Sequence, residues 1–145
     1  MTGENIMIHV ADLMTKKVFT LRRIDTLRDA RSLMDLVKVR HIPVLDEQAR
    51  FIGLITHRDL LAYAVSKLAE IEASVQTEIE SSIIVGDIMQ INIDTVTPGT
   101  LLTEAAGIMY RKKYGCLPVL EDDRLVGIIT ESDFLRLAIA LLGSR

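Results

Sequence analysis

The chain has 145 residues, of which 20 are acidic and 17 basic, so its formal net charge is −3. This balance excludes a general electrostatic attraction to nucleic acid or to an anionic membrane. Apolar residues make up 49% of the chain, with three Tyr, three Phe and no Trp. We therefore expect a core of aliphatic side chains, and the disordered and fibrous classes are excluded.

The composition also predicts a soluble protein. Every stretch of about 18 residues contains a charge, so no transmembrane helix is expected. The first residues lack the basic and then apolar layout of a secretion signal. The single cysteine, Cys116, has no partner for an intrachain disulfide. We expect a cytoplasmic protein with no membrane contact.

Two parts of the sequence repeat one another. Residues 10–48 align with 85–123, and residues 50–61 align with 124–135, with 17 identities in 51 positions. Two copies of a unit that leaves an apolar face uncovered will bury that face against each other. The duplication therefore predicts two repeats related by a pseudo-twofold axis, with their sheets packed together, their helices outside and equivalent clefts where the copies meet.

The first repeat predicts the order strand, helix, strand, strand, helix. Residues 18–21 favour a short strand, and apolar residues at helical spacing over 30–37 predict a helix with Asp25 as its N-cap. Residues 42–45 predict the second strand. The near-continuous apolar run Phe51–Thr56 is typical of a strand buried on both faces.

The second repeat predicts the same order, with strands at 93–96, 117–120 and 125–130 and with Thr100 as the N-cap of its first helix. Between the repeats, residues 60–79 predict an extended amphipathic helix that packs on this chain's own core or on a partner subunit. The predicted domains are a first repeat at 7–66, a linker helix extension at 67–82 and a second repeat at 83–145.

One polar pattern occurs twice in matching context, as Thr56-x-x-Asp59 and Thr130-x-x-Asp133, each directly after a buried strand. Thr-x-x-Asp resembles a capping box, which would explain both pairs without a ligand. A helix N-terminus also offers free N–H groups and a partial positive charge, which attract phosphate. An acidic residue one turn into the helix could instead bind the two hydroxyls of a ribose.

The two copies differ in charge around this pattern. Positive side chains in the first turn oppose the helix dipole unless a bound anion offsets them. The first copy has arginine or histidine at four positions where the second has neither. The residues are Arg40, His41, His57 and Arg58 in the first copy, against Gly115, Cys116, Glu131 and Ser132 in the second. If either copy prefers phosphate, it is the first.

Two copies of Pro-Val-Leu followed by Gly-Leu-Ile-Thr-His-Arg-Asp-Leu or Gly-Ile-Ile-Thr-Glu-Ser-Asp-Phe resemble the cystathionine β-synthase (CBS) domain pair, or Bateman module. The resemblance covers roughly residues 8–142. It implies an α/β fold of two tandem β-α-β-β-α repeats and a regulatory module that is not an enzyme and requires no cofactor. It also implies a homodimer that acts on an unknown protein target.

The implied regulatory ligand is an adenosine-containing nucleotide in the cleft between the repeats: AMP, ADP or ATP, or else NAD or S-adenosylmethionine. Its binding would be signalled by a conformational shift. By the resemblance, Asp59 and Asp133 would bind ribose hydroxyls, and Thr56 and Thr130 would help to hold ribose or phosphate. The remaining expected contacts are Arg40, His41, His57 and Arg58 towards phosphate, and Thr20, Ile42, Pro43, Thr95, Leu117 and Pro118 towards adenine.

Rival interpretations stay open. A ligand-free dimerisation module would use the Thr and Asp residues as helix caps and nothing more. A nucleic-acid binder would use the basic clusters at 22–23 and 111–113, for which a solvated face is the usual explanation. An enzyme would need a base beside Cys116, and no such pair is visible; the three histidines also lack metal-ligand spacing, so no metal site is expected.

Overall fold

The computed structural model describes residues 8–66 and 73–143, which form a mixed α/β protein. The elements in chain order are α1 (Val10–Leu13), β1 (Leu21–Arg22), α2 (Leu27–Val37), β2 (His41–Leu45), β3 (Phe51–Thr56), α3 (His57–Ser66), α4 (Ala73–Ser82), α5 (Val85–Ile88), α6 (Leu102–Lys112), β4 (Cys116–Glu121), β5 (Arg124–Thr130) and α7 (Glu131–Leu142). Within these two ranges, no helix combines the length and the apolar character that a membrane span requires.

The described residues fall into two compact units. The continuous unit comprises residues 19–93, and the split unit comprises residues 8–18 together with 94–143. The boundaries differ from those of the sequence repeats, because each unit contains the main part of one repeat and the opening segment of the other. Helix α1 thus lies in the split unit and α5 in the continuous unit.

The continuous unit is built on the sheet β1-β2-β3. Strand β1 runs parallel to β2, and β2 runs antiparallel to β3 with His41 opposite Thr56. On the free side of β3, Leu54 forms an antiparallel bridge with Gln90, which follows α5. Helices α2 and α3 cover a core of fully or almost fully buried aliphatic residues. These include Leu27, Ala30, Ile42, Val44, Ile55, Leu60 and Val85.

The split unit repeats this arrangement around β4 and β5, which are antiparallel with Cys116 opposite Thr130. Val96 forms a parallel bridge with Val119, and Thr15 forms an antiparallel bridge with Ile128 on the free side of β5. The opening segment of the first repeat therefore completes the sheet of the second. The fully buried side chains of this core are Val10, Ala105, Leu117, Val119 and Ile129.

The predicted strand order is confirmed, but two local predictions were wrong. The N-cap of α2 is Thr26 rather than Asp25: its hydroxyl accepts from the Asp29 amide at 3.1 Å, while the Asp29 carboxylate accepts from the Thr26 amide at 2.9 Å. Helix α6 starts after Leu101 rather than after Thr100, without a side-chain cap. The first strands are also shorter than predicted, namely Leu21–Arg22 in one unit and a single bridge at Val96 in the other.

The predicted linker helix is described only in part. Helix α3 ends at Ser66 and α4 runs from Ala73 to Ser82, whereas residues 67–72 lie outside the described residues. Helix α4 packs on α2 through two polar contacts. Arg31 forms a bidentate ion pair with the buried Glu80, and Arg28 Nη1 donates to the Thr77 hydroxyl at 2.9 Å. The described part of the predicted extension thus contacts helix α2 of this chain, and its other possible role, packing on a partner subunit, stays a prediction.

Candidate functional site

The first-copy site residues meet where β2 begins and β3 ends. Because His41 lies opposite Thr56 in the sheet, the residues before β2 lie beside the start of α3, and the His57 amide donates to the Arg40 carbonyl at 2.8 Å. Arg40 and Arg58 are exposed, His41 and His57 are half-buried, and Ile42 and Pro43 are buried. Thr20 is half-buried and directly precedes the pair Leu21–Val44 of β1 and β2.

Thr56 and Asp59 form the reciprocal hydrogen bonds of a capping box at the start of α3. Asp59 Oδ2 accepts from the Thr56 amide at 2.8 Å and from its hydroxyl at 3.1 Å, and the Asp59 amide donates to Thr56 Oγ1 at 3.3 Å. The capping interpretation therefore describes the observed geometry. The capping hydrogen bonds from Thr56 use one carboxylate oxygen of Asp59, which is half-buried.

The start of α3 carries unneutralised positive charge. Among residues 8–66 and 73–143, no carboxylate forms an ion pair with Arg40 or Arg58. Both arginines are exposed, Arg58 belongs to the first turn of α3, and the Arg40 carbonyl accepts from the first amide of that helix, so both belong to its positive end. The Asp59 carboxylate in the same turn offsets one of these positive charges, and a further anion would offset the other. This arrangement suits an anionic ligand such as phosphate.

The equivalent place in the split unit has the same backbone arrangement but a buried aspartate. Cys116 lies opposite Thr130, and the Glu131 amide donates to the Gly115 carbonyl at 3.1 Å. Asp133, 1% exposed, accepts from Thr130 as Asp59 does from Thr56, and also from Thr15 and Arg136. The other expected second-copy contacts are Leu117 and Pro118, which are buried in β4, and Thr95, which is exposed.

Three residues that were not predicted from the sequence donate hydrogen bonds to the two aspartates. Gln90 Nε2 donates to Asp59 at 3.2 and 3.3 Å, the Thr15 hydroxyl donates to Asp133 at 3.0 Å, and Arg136 Nη2 donates to Asp133 at 2.9 Å. Thr15 and Gln90 each follow the Asp-x-Met opening of a repeat, so they occupy matching positions. Their matching positions are visible in the sequence. They would have indicated Thr15 and Gln90 as contacts of the two aspartates only if each opening segment had been predicted to pack on the other repeat.

Cys116 has no features of a nucleophile. It is 3% exposed at the start of β4, and burial, with a smaller effect from the Glu131 carboxylate, raises the pKa of its thiol to about 12. Since the thiolate is the reactive form, the native thiol is unreactive near neutral pH.

We therefore expect native Cys116 to react with iodoacetamide at pH 8 more than about tenfold more slowly than the same thiol in urea-unfolded protein, because burial disfavours the thiolate. The measurement is mass spectrometry of the alkylated fraction over time. Free cysteine in the same urea serves as the control for reagent activity. Equal rates in the native and unfolded protein would contradict the buried, protonated thiol.

Three residues of the basic clusters at 22–23 and 111–113 form ion pairs within their own units. Arg22 pairs with Asp25 at 3.2 Å, Arg23 pairs with Glu47 at 2.7 Å, and Lys112 forms an ion pair with Asp94. Acidic partners of this kind weaken attraction to nucleic-acid phosphates. No group of three or more His, Cys, Asp or Glu residues in the described ranges is placed to hold a metal ion.

The split unit also contains an apolar groove of about 350 Å³. It is lined by Ile8, by residues at the start of α6, and by Phe134 and Leu137 of α7. None of the predicted ligand contacts is among these lining residues. The groove therefore adds nothing to the site formed by Arg40, Thr56 and Asp59.

Comparisons with known proteins give one family. The family model described as CBS domain matches residues 10–66 and 85–140. A CBS domain-containing protein of Dictyostelium discoideum is 33% identical over 134 residues, which cover 92% of each chain. Across three other relatives, the match spans only 25% to 64% of the relative's own length. One of these, from Methanococcoides burtonii, is named homoserine O-acetyltransferase.

Solved structures agree with the fold. The AcuB protein of Vibrio cholerae is 38% identical, with a TM-score of 0.79 and 95% of each chain covered. CBSX2, a protein of Arabidopsis thaliana, was solved in complex with AMP. That complex is 28% identical, with a TM-score of 0.77, and the match covers 93% of this chain and 98% of that one.

Proposed function

This chain belongs to the CBS domain family and contains a tandem pair of such domains, and from that premise we propose that it is a regulatory module that binds an adenosine-containing nucleotide beside the start of α3. Arg40 and Arg58 bind the phosphate, Asp59 and Thr56 hold the ribose, and His41 and His57 line the phosphate end. The adenine lies against Thr20, Ile42 and Pro43.

The observation that carries this proposal is the pair of exposed arginines at the start of α3, without a carboxylate partner in the described residues, together with the half-buried Asp59 of the same helix turn. A phosphate would neutralise the two cations and accept hydrogen bonds from them. The Asp59 carboxylate would accept hydrogen bonds from the two ribose hydroxyls. One site thus offers complementary groups to the charged and sugar parts of a nucleotide.

The similarity to CBSX2, which was solved with AMP, supports the ligand class. The two arginines favour the phosphate-bearing ligands over S-adenosylmethionine, which has no phosphate, but they do not distinguish AMP from ADP, ATP or NAD. In our proposal the chain performs no catalysis and needs no cofactor. A ligand that binds one conformation more tightly shifts the population towards it, and a second copy of the chain or another protein senses the change.

The alternative is a ligand-free dimerisation module. The capping boxes favour it, because Thr56 with Asp59 and Thr130 with Asp133 both complete their reciprocal hydrogen bonds. Exposed apolar side chains on α7 also fit a protein partner. These are Leu135, Ile139, Leu141 and Leu142, each between 64% and 78% exposed. Nucleic-acid binding is not proposed, since Arg22, Arg23 and Lys112 already have acidic partners.

Thermal unfolding with each of five adenosine-containing ligands, namely AMP, ADP, ATP, NAD and S-adenosylmethionine, tests the proposal. We expect at least one to raise the melting temperature, since a ligand at 100 times its Kd stabilises the native state by about 2.7 kcal/mol. In Asp59→Asn this ligand-induced increase is expected to disappear, because the neutral amide is a poorer acceptor for the ribose hydroxyls and brings donors of its own.

Asp29→Asn is the matched control. Asp29 closes a Thr-x-x-Asp capping box at the start of α2, so its replacement weakens an equivalent cap away from the proposed site. The control should unfold at a lower temperature and keep the whole ligand effect. If none of the five nucleotides stabilises the wild-type chain, the sensor function is wrong and the capping interpretation stands.

A further inference from the structure

We infer that the two aspartates of the duplicated motif have diverged, so that Asp59 is available to a ligand, Asp133 is a structural residue, and each chain binds one nucleotide. This inference rests on the proposed function and deepens it. It assigns the difference to four residues outside the motif, which form two pairs of matching positions, namely Thr15 with Gln90 and Ala62 with Arg136.

Asp133 has no acceptor capacity left for a sugar. Its Oδ2 accepts from the Thr130 amide at 2.8 Å and the Thr130 hydroxyl at 3.3 Å, while its Oδ1 accepts from Thr15 Oγ1 at 3.0 Å and Arg136 Nη2 at 2.9 Å. A carboxylate offers about four acceptor positions, and all four are used. With 1% of the residue exposed, a ribose would have to displace a charged hydrogen bond to reach it.

Asp59 is held less completely. Both hydrogen bonds from Thr56 fall on Oδ2, and Oδ1 accepts from the side-chain amide of Gln90 at 3.2 Å. The same amide nitrogen lies 3.3 Å from Oδ2, so one neutral donor is shared between both oxygens at the long end of the hydrogen-bond range. Gln90 is exposed, so solvent is available to hydrogen-bond its side-chain amide when it leaves Asp59. A ribose hydroxyl can therefore replace it.

The difference can be traced to matching positions of the two repeats. Arg136 lies on the first turns of α7, three residues after Asp133, and the equivalent residue three after Asp59 is Ala62. Alanine leaves Asp59 without the cation that neutralises Asp133. At the other matching position, Thr15 reaches a single oxygen of its aspartate, whereas the longer Gln90 lies across the face of Asp59 as a competitor.

Isothermal titration of the full chain with AMP, ADP, ATP, NAD and S-adenosylmethionine tests this inference. We expect one site per chain for every nucleotide that binds. Ala62→Arg recreates the Asp133–Arg136 spacing at Asp59 and should weaken binding at least tenfold. Ala62→Gln, similar in length but uncharged, should bind within about twofold of the wild type. Gln90→Ala removes the competing amide and should tighten binding several-fold.

The possible failures are distinguishable. Two nucleotides per chain, or unchanged affinity in Ala62→Arg, would overturn the inference and leave the nucleotide-binding function in place. Weaker binding in Gln90→Ala would show that the amide helps to hold the ligand, and would overturn its role as a competitor. No binding of any of the five nucleotides to the wild-type chain would contradict the proposed function itself, and the inference with it.

Discussion

Replacement of Arg31 by methionine is expected to lower the free energy of unfolding at pH 7 by about 3–5 kcal/mol, because it leaves a buried carboxylate without its cation. Arg31 Nε donates to the two Glu80 oxygens at 2.9 and 3.0 Å, and its Nη2 donates at 2.7 Å. Glu80 is 2% exposed, and its other side-chain donor in the described residues is Gln76 at 3.1 Å. Methionine keeps the hydrophobic stem and removes the charge.

The effect should depend on pH. Burial acts to raise the pKa of Glu80, but the hydrogen bonds from Arg31 and Gln76 and the nearby positive charge outweigh it, so the pKa lies below its ordinary value of 4.5. A carboxyl group with a lowered pKa stabilises the native state above pH 4.5, and this stabilisation is lost as the pH falls through the native pKa. In Arg31→Met the hydrogen bonds from Arg31 no longer offset the effect of burial, and we expect Glu80 to be protonated more readily. The difference in the free energy of unfolding between the variant and the wild type should therefore become smaller below pH 4.5.

Urea unfolding at pH 7 and pH 4 measures both effects. Arg28→Met on the same helix is the control, since Arg28 is exposed and donates a single hydrogen bond to Thr77. Its cost should stay below about 1 kcal/mol at either pH. A deficit of less than 1 kcal/mol for Arg31→Met at pH 7, or one that grows at pH 4, would contradict the role assigned to the ion pair.

Valine in place of Gly53 or Gly127 is expected to destabilise the protein by about 1–3 kcal/mol through overpacking. A Cβ atom at Gly127 would lie 2.6 Å from Met14 Sδ and 3.1 Å from the Thr15 carbonyl oxygen. At Gly53 the corresponding distances to Met89 Sδ and to the Gln90 carbonyl oxygen are 2.5 and 3.0 Å. The methionine side chains can move. The two carbonyls, however, belong to Thr15, which forms a bridge with β5, and to Gln90, which forms a bridge with β3, so backbone hydrogen bonds would have to lengthen or break.

Gly99→Val is the control for this pair, because no atom lies within 4 Å of a Cβ built at Gly99. Its free energy of unfolding should stay within about 0.5 kcal/mol of the wild type. Chemical denaturation followed by circular dichroism gives all three values. If valine at Gly53 and Gly127 were as well tolerated as at Gly99, this would contradict the close contact of each glycine with the opening segment beside it.

Much of the fold follows from local patterns. The continuous apolar runs and the turn residues between them predict β2, β3, β4 and β5, since strands covered on both faces need no polar alternation. The helix starts were harder to predict. Asp25 and Thr26 are both good caps, and Thr26 is used because Asp29 stands three residues later and completes the box.

Helix α6 begins after Leu101, a poor cap, for a reason that lies outside the helix. The Leu102 amide donates to the carbonyl of Ile8 at 2.8 Å, and in the other unit the Leu27 amide donates to Ile83 at 2.9 Å. A backbone acceptor far along the chain satisfies the amide at the helix start, so local cap preferences do not decide that boundary.

In the candidate site, too, contacts between residues close in the chain could be predicted and contacts between distant residues could not. The Thr-x-x-Asp spacing alone predicts a capping box at Thr56 and Thr130, because a hydroxyl and a carboxylate three residues apart reach each other's amides at any helix start. The sequence does not reveal that Thr15 donates to Asp133, 118 residues away.

The duplicated sequence by itself determined the strand order, the aliphatic cores and the two capped helix starts, since these depend on residues close together in the chain. Which repeat each opening segment packs on was decided by the tertiary structure alone. Both repeats have the same apolar pattern, so the sequence allows either opening segment to pack on β3 or on β5. In the structure, backbone hydrogen bonds place Gln90 beside β3 and Thr15 beside β5. That choice also determines which donors reach Asp59 and Asp133.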